Sequence, residues 1–203
     1  MGLIQSQGEE KLRELLELES SAEEWEDLGV TNEVESCRLY RPETGYYVLK
    51  GVGDIAESPE TILVLMTDVS RKGEWDEMFV EGRVVASLSE RDRLSYQHFS
   101  APWPVSHRDF VYLSLSRPLE DGSIVSLGFS VQTSLVPEVR GLVRGHIYLA
   151  GFIFRRLDPK LTRVTYIVHL DPKGSIPTMI INQSQKKQTQ NISRLRNCLA
   201  KRS

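Results

Sequence analysis

The spacing of hydrophobic residues changes along the chain from helical to alternating and back, which predicts helices at both ends and strands between them. Leu12, Leu15 and Leu16 recur at helical spacing inside a glutamate-rich stretch that has no Gly or Pro from residue 9 to residue 28. We therefore expect one helix, or a broken pair of helices, at the start of the chain.

The middle of the chain has the pattern of strands joined by turns. Residues 34–40 and 46–52 predict a hairpin around Arg41-Pro42-Glu43-Thr44-Gly45, whose proline and glycine suit a turn. Ser58-Pro59 then predicts the capped start of a short helix. Further strand-like segments, separated by Gly and Pro signals, follow at about residues 80–88, 93–100, 109–117, 123–134, 142–156 and 161–170.

The last segment returns to a helical pattern. After Asp171-Pro172-Lys173-Gly174, Ser175 is a candidate N-cap, Pro177 fits the first turn, and no further Gly or Pro follows. This order of elements predicts an α+β fold, in which consecutive strands form an antiparallel sheet and the last helix lies across it. Phe110-Val111-Tyr112-Leu113 is apolar on both sides of its strand, so we expect both faces of the sheet to be covered.

The composition is that of one folded domain. The chain has 203 residues, of which 40% are hydrophobic and 26% charged, which is typical of soluble globular proteins. Its longest apolar run, residues 147–154, is far shorter than the ~20 residues that span a bilayer, and we expect a cytoplasmic protein. Cys37 and Cys198 are too few and too far apart for a metal cluster, so we expect free thiols, no metal and no cofactor.

The overall net charge of −3 conceals two oppositely charged ends. Residues 1–30 hold nine acidic residues against two basic ones, a local net charge of −7, whereas the chain from Pro172 onward holds seven basic residues and no acidic one. The two ends could attract each other in the fold, or the basic end could meet phosphate. Because no aromatic residues are interleaved with these bases, a lipid surface is favoured over nucleic acid.

Several blocks of residues occur in an order that resembles a known family. They are Gly73-Glu74-Trp75-Asp76, residues 102–113 (Pro-Trp-Pro-Val-Ser-His-Arg-Asp-Phe-Val-Tyr-Leu), residues 141–145, residues 171–177 and Ile180-Ile181-Asn182-Gln183. Over about residues 30 to 200 the chain thus resembles the START family of steroidogenic acute regulatory-related lipid-transfer domains. The resemblance implies a helix-grip fold, in which a curved antiparallel sheet wraps around a long C-terminal helix and encloses a lipid cavity gated by that helix. It divides one domain into an acidic N-terminal helical segment, residues 1–28, and the lipid-binding part, residues 29–203.

The resemblance gives two conflicting indications of the ligand. Residues 102–113 look most like the phosphatidylcholine-transfer branch, whereas residues 180–183 look more like the cholesterol-binding branch. Ser114 stands where several relatives have a buried arginine, and Gln97 stands where they have its acidic partner. Tyr148 matches one tyrosine of a choline-binding cage whose other position falls near Val168 or His169, so the cage is incomplete. We expect a neutral ligand such as a sterol, with phosphatidylcholine or another phospholipid as the alternative.

Two groups of candidate site residues follow from the resemblance and from residue chemistry. Candidate ligand contacts lie on the expected cavity strands and on the terminal helix: Gln97, Phe99, Phe110, Tyr112, Ser114, Tyr148, His169, Ile180 and Ile181. Candidate contacts with an anionic membrane surface combine a loop indole with bases of the terminal helix: Trp103, Lys186, Lys187 and Arg194. We expect transient, peripheral membrane contact, and the sequence indicates no particular protein partner.

Alternatives to a non-enzymatic lipid carrier stay open. A helix-grip enzyme would use His98 and His169 as candidate bases, although no nucleophile motif accompanies them. A ligand-gated interaction module would dock a protein partner through its terminal helix or its acidic N-terminus. Arg108 and Asp109, which follow His107, could form a structural ion pair or contact the ligand.

Overall fold

The computed structural model of the protein describes residues 2–176, 181 and 187–201. In these ranges the α-helices are α1 (Gly2–Ser20), α2 (Pro59–Thr67) and α3 (Asn191–Ala200), and a 3₁₀ helix covers Val69–Glu74. The strands are β1 (Glu26–Thr31), β2 (Val34–Arg41), β3 (Tyr46–Ile55), β4 (Phe79–Ser87), β5 (Asp92–Phe99), β6 (Arg108–Pro118), β7 (Ile124–Ser130), β8 (Val143–Arg144), β9 (His146–Asp158) and β10 (Leu161–Asp171).

All of these strands belong to one sheet. Nine of them run in the order β1-β2-β3-β10-β9-β7-β6-β5-β4, and every pairing along this path is antiparallel. The short strand β8 pairs with β6 in parallel. Since β3 pairs with β10, the first hairpin lies beside the last strand, and the segment that carries α3 follows directly. The predicted α+β architecture with an antiparallel sheet is confirmed.

The local signals at the first hairpin and at α2 are confirmed. The β2–β3 pair is antiparallel around the predicted turn. The Ser58 hydroxyl accepts the Thr61 backbone N–H at 3.2 Å, and Pro59 occupies the first helical position. A serine cap followed by proline satisfies a free N–H and sets the backbone for the first turn.

The opening helix is shorter than predicted at its C-terminal end. It ends at Ser20, whose hydroxyl donates to the Leu16 backbone oxygen at 3.0 Å, and the Ser21 hydroxyl accepts the Glu23 N–H at 3.1 Å. Such local bonds compete with helix continuation. Residues 26–31 then pair with β2, so strand pairing decides a segment whose sequence also suited a helix.

Helices cover both faces of the sheet. The helix α1 packs its Leu15 against Leu149, Ile153 and Ile167, which form one apolar cluster. The helices α2 and α3 pack on the opposite face, against a second cluster built from alternate residues of the same strands, Phe152, Phe154, Val164, Tyr166 and Val168. Because successive side chains of a strand point to opposite faces, this arrangement accounts for strands that are apolar on both sides.

The two charged ends lie on opposite faces of this sheet. On α1, Glu19 pairs with Arg155 of β9 at 2.6 Å. On α3, Arg196 pairs with Glu33 at 2.8 Å and Arg194 pairs with Glu77. In the described part of the chain, the bases of the terminal helix therefore find their acidic partners outside α1.

The expectation of one long terminal helix falls partly on residues 177–180 and 182–186, which lie outside the described ranges. Residues 187–189 are helical, a turn follows at Gln190, and α3 begins at Asn191. The Ser193 hydroxyl donates to the Gln190 backbone oxygen at 2.9 Å, and Asn32 Nδ2 donates to Gln190 Oε1 at 3.0 Å. Gln190 thus fixes the start of α3 against the turn between β1 and β2.

Candidate functional site

A cavity of about 430 Å³ lies between the sheet and the elements that cover its α2–α3 face. Its wall follows alternate positions of neighbouring strands, as the period of a strand requires. The residues contributed by β5 are Arg93, Ser95, Gln97 and Phe99, and those contributed by β6 are Arg108, Phe110, Tyr112, Ser114 and Ser116. The other side is formed by α2, the 3₁₀ helix and the terminal helical segment, through residues such as Leu63, Met66, Lys72, Ile181 and Asn191.

The structure brings most of the predicted ligand contacts together on this wall. The predicted residues that line the cavity are Gln97, Phe99, Phe110, Tyr112, Ser114 and Ile181. Two predicted membrane contacts, Lys187 and Arg194, also border the cavity, and both pair with Glu77, at 3.0 and 3.1 Å. The predictions for Ile180 and Lys186 lie outside the described residues.

The structure places Tyr148 and His169 at a different cavity, on the α1 face. This second space of about 390 Å³ is also bordered by Glu14 and Arg41. Tyr148 reaches this face through an irregularity in the β9–β10 pairing, where Leu149 faces His169 but Ile147 faces Leu170, so that Tyr148 is an extra residue in β9. Such a bulge changes which side chains share a face. His169 lies there by ordinary alternation, because its neighbours Val168 and Leu170 line the larger cavity.

The side chains at the second cavity hold each other in place. His169 Nε2 lies 2.9 Å from Thr44 Oγ1, and the His169 ring lies 4.6 Å from the ring of Tyr148. Burial lowers the pKa of His169, because the charged imidazole would lose its hydration. Of the residues considered for the incomplete choline cage, Tyr148 and His169 therefore border the second cavity, and Val168, which is not aromatic, lines the larger one.

Two tyrosines supply hydroxyl groups to the apolar part of the large cavity. Tyr112 of β6 and Tyr166 of β10 line its wall, and the Tyr166 ring stacks on Phe152 at 4.2 Å. Burial, together with the nearby Asp76 carboxylate, raises the pKa of both Tyr112 and Tyr166. Both phenols therefore stay protonated at neutral pH and can donate a hydrogen bond to a ligand.

A buried ion pair near these tyrosines was not predicted. Lys72 Nζ lies 3.1 Å from Asp76 Oδ2 and 4.1 Å from the centre of the Trp75 ring, and all three residues line the cavity. The i,i+4 spacing of lysine and aspartate in a helical turn was the available signal. In the described part of the chain, Trp75 Nε1 and Gln188 Oε1 on the same wall have no hydrogen-bond partner.

Sequence reasoning also missed Arg93. This residue pairs directly with Ser114 across β5 and β6, and both side chains line the cavity. The Ser114 hydroxyl donates to the Arg93 backbone oxygen at 3.3 Å. The wall near Ser114 therefore carries a guanidinium supplied by the neighbouring strand, contrary to the expectation of an uncharged wall at this point. Only the strand register shows this proximity, since the two residues are far apart in the sequence.

The loop between β5 and β6 covers one side of the cavity. Pro102 and Val105 line the cavity, whereas Trp103 between them is 91% exposed. Arg108 anchors the end of this loop by donating to the backbone oxygens of Pro172 at 3.1 Å and Lys173 at 3.0 Å. A loop that is hydrogen-bonded at its end thus presents one large indole to the surroundings.

Arg108 and Asp109 do not pair with each other, because neighbouring residues of a strand point to opposite faces. Asp109 instead accepts two hydrogen bonds from Arg144, at 2.8 and 2.9 Å. His98 also points away from the cavity, and its Nε2 lies 3.0 Å from His107 Nδ1. Neither of the candidate bases, His98 or His169, is among the residues that line the larger cavity.

The cavity and the sheet around it agree with what comparison with protein families shows. The model of the START domain matches residues 5–199. The chain belongs to the START family. Human StAR-related lipid transfer protein 5 has the same fold, with a TM-score of 0.91, 21% identity and 98% of each chain covered. This likeness confirms the predicted helix-grip architecture.

Two curated relatives show how the match is distributed. Human START domain-containing protein 10 is 28% identical over 127 residues, which are 63% of this chain and 43% of that protein. Bovine phosphatidylcholine transfer protein is 25% identical over 172 residues, which are 83% of this chain and 80% of that protein. The chain thus spans less than half of the first relative and most of the second. No helix in the described ranges is long and apolar enough to cross a bilayer.

Proposed function

We propose that this START domain binds one lipid in the larger cavity and moves it between membranes without a catalytic step. The observation that carries the proposal is the cavity of about 430 Å³, whose wall is mainly aromatic and aliphatic. If it were dry, the ~24 cal/mol per Å³ found for engineered cavities would imply a cost of about 10 kcal/mol, comparable to the stability of a whole domain. Water or a ligand must therefore occupy it, and an apolar wall favours a lipid.

For the body of the ligand, we favour a sterol-like neutral group over phosphatidylcholine. Tyr112 and Gln97 offer uncharged hydrogen-bonding groups in the middle of the cavity, and Lys72 and Asp76 largely cancel each other's charge. Tyr148, which the choline hypothesis needed, borders the other cavity. A phospholipid stays the alternative, because bovine phosphatidylcholine transfer protein is among the relatives.

A carrier accounts for the site better than an enzyme does. The enzyme hypothesis depended on His98 and His169, and both lie on the face of the sheet opposite the lipid cavity. The N-terminal segment belongs to the same domain in this proposal, because Leu15 of α1 packs into the core of the sheet. No observation in the described residues favours a ligand-gated interaction module.

For membrane contact, we propose the loop that carries Trp103. Its indole is exposed beside a cavity-lining segment, and an indole suits the boundary between headgroups and acyl chains. Lys187 and Arg194 add positive charge near the same cavity, but they must first exchange Glu77 for lipid phosphate. Contact of this kind is peripheral and reversible.

Lipid extraction from gently purified protein, followed by transfer assays between vesicles, tests the carrier function. We expect about one lipid per chain in native mass spectrometry, and movement of that lipid from donor to acceptor vesicles. Ala150→Trp, which places an indole into the cavity from β9, should abolish both. Leu157→Trp at an exposed position of the same strand is the matched control. A folded wild-type protein that carries no lipid and moves neither cholesterol, phosphatidylcholine nor an acidic lipid between vesicles would overturn the proposal.

A further inference from the structure

One end of the lipid cavity combines positive charge with hydroxyl groups. Arg93, Ser114, Ser116 and Ser126 all line this end. They lie on three neighbouring strands, where Arg93 is directly opposite Ser114 and Ser116 is directly opposite Ser126. The Ser116 hydroxyl donates to that of Ser126 at 3.3 Å, a long and weak bond. We call these four residues the Arg93 patch.

The Arg93 guanidinium has no acidic partner in the described part of the chain, although its surroundings are rich in paired arginines. Arg117 holds Asp92, the residue next to Arg93, with Nη2 at 2.9 Å from Oδ2. Glu90, which also borders this end of the cavity, is exposed and forms no ion pair with Arg93. Because Arg93 is half-buried at the cavity wall and pairs with no carboxylate there, its guanidinium donors remain available to a ligand. An anion from outside the protein would supply the missing partner.

We propose that the Arg93 patch binds the single anionic group of an otherwise apolar lipid. The inference rests on the proposed lipid-binding function and specifies the polar end of the ligand: a sterol-like or acyl body that ends in a carboxylate, sulfate or phosphate monoester. The planar guanidinium presents paired donors that match two oxygens of such a group, and the serine hydroxyls can add further donors.

The orientation of the ligand follows from the position of the patch. The apolar body would extend from the patch along Phe99, Tyr112, Phe152 and Tyr166, the aromatic part of the wall. The arrangement also explains why serine at position 114 is compatible with an acidic ligand. The positive charge enters the cavity from β5, and the small Ser114 side chain on β6 leaves room for it.

Two pairs of lipids that differ only in the charge of one end test the inference on the full chain. Cholesteryl sulfate is compared with cholesterol, and oleate with oleyl alcohol, through the change in tryptophan fluorescence, to which Trp75 on the cavity wall contributes. We expect the acidic member of at least one pair to bind about ten- to a hundredfold more tightly, the range that charge-assisted hydrogen bonds supply. A preference in the sterol pair alone identifies a sterol body, and a preference in the acyl pair alone identifies an acyl body.

Variants then assign the preference to Arg93. Arg93→Met keeps the aliphatic stem, so it should remove the preference for the acidic lipid and leave affinity for the alcohol nearly unchanged. Arg93→Lys keeps the charge and should retain part of the preference, which preserves the test if the methionine variant does not fold. Arg83→Met is the matched control, because Arg83 on β4 lies over the Tyr96 ring at 4.4 Å, away from the cavity.

Failure of the inference and failure of the carrier function give different results. Equal affinity of the wild-type protein for both members of each pair overturns the inference and leaves a lipid carrier. A preference that survives in Arg93→Met also overturns it. Binding of none of the four lipids, together with no transfer between vesicles, overturns the proposed function itself.

Discussion

The two faces of the sheet are built from the same strands but treat their polar groups differently. On the α1 face, Arg155 pairs with Glu19, and Asp109 pairs with Arg144. On the cavity face, Lys72 pairs with Asp76, but Arg93 has no acidic partner in the described ranges. The buried Trp75 Nε1 and Gln188 Oε1 on the cavity wall have no hydrogen-bond partner there, against one such atom, Trp25 Nε1, beside the α1-face core. Since a buried polar group without a partner is costly, groups left unsatisfied by the fold indicate where a ligand belongs. The comparison assigns structure to one face and binding to the other.

The two faces also differ in packing. On the α1 face, a Cβ added at Gly151 would stand only 2.5 Å from Leu15 Cδ2, so the helix needs glycine there to approach the sheet closely. On the cavity face, the neighbouring Ala150 borders open space. Helix α1 therefore packs directly on the sheet at Gly151, and the second cavity on its face is bordered by charged and polar residues such as Glu14, Arg41 and His169. The helix α2 and the terminal helix instead leave a mainly apolar space beside the sheet.

Replacing matched leucines on the two faces should produce the largest effects. Leu149 on β9 is fully buried in the α1-face core, whereas Leu49 on β3 lines the cavity, and both are adjacent to β10. Leu149→Ala should cost about 4 kcal/mol of unfolding free energy, and Leu49→Ala about 2, because large-to-alanine costs rise with the empty volume created. Urea unfolding of both variants measures the difference.

Lipid binding provides the control for this pair. Leu49→Ala should alter lipid affinity, since it enlarges the binding space, whereas Leu149→Ala should leave affinity unchanged at temperatures where the variant is folded. Equal losses of stability with equal effects on affinity would contradict the division of the sheet into a structural and a binding face.

Removing the exposed indole should slow lipid transfer several-fold without weakening the fold. Trp103 is almost fully exposed, so Trp103→Ala should change stability by less than about 0.5 kcal/mol. The transfer rate between vesicles should fall because the loop loses its group for the membrane interface. Leu157→Ala, at an exposed position at the end of β9, is the control and should transfer lipid at the wild-type rate. An unchanged rate in Trp103→Ala would remove this loop from the membrane contact.

The sequence was sufficient for eight strands, β2–β7, β9 and β10, but not for β1 and β8, nor for the faces of all strands. Gln97, Phe99, Phe110 and Tyr112 were placed correctly on one wall, because alternation holds along β5 and β6. Alternation fails near Tyr148, where one extra residue in β9 exchanges the faces to which the preceding side chains point. Nothing in the local sequence marks this bulge.

Arg93 escaped prediction for a different reason. Matching positions to a family considers one residue at a time, and at position 114 it found only a serine. The positive charge is supplied instead by Arg93 on the neighbouring strand. Its position opposite Ser114 can be recognised only when the β5–β6 register is known. The pair Lys72 and Asp76, by contrast, could have been recognised from its spacing in the sequence.

The smallest expected effect concerns the pH dependence of stability and tests the assignment of His169 to the structural face. Burial lowers the pKa of His169, so below the ordinary histidine pKa the unfolded chain takes up a proton that the folded chain resists. Its contribution is fully present above about pH 6.5 and is lost as the pH falls through the lowered value. His169→Gln, which can still bond to Thr44, should therefore lose less stability than wild type between pH 7 and pH 5 in urea unfolding. Lipid affinity should not change, because His169 borders the second cavity. An altered lipid affinity together with an unchanged pH profile of stability would show that His169 acts in lipid binding and not in the structural face.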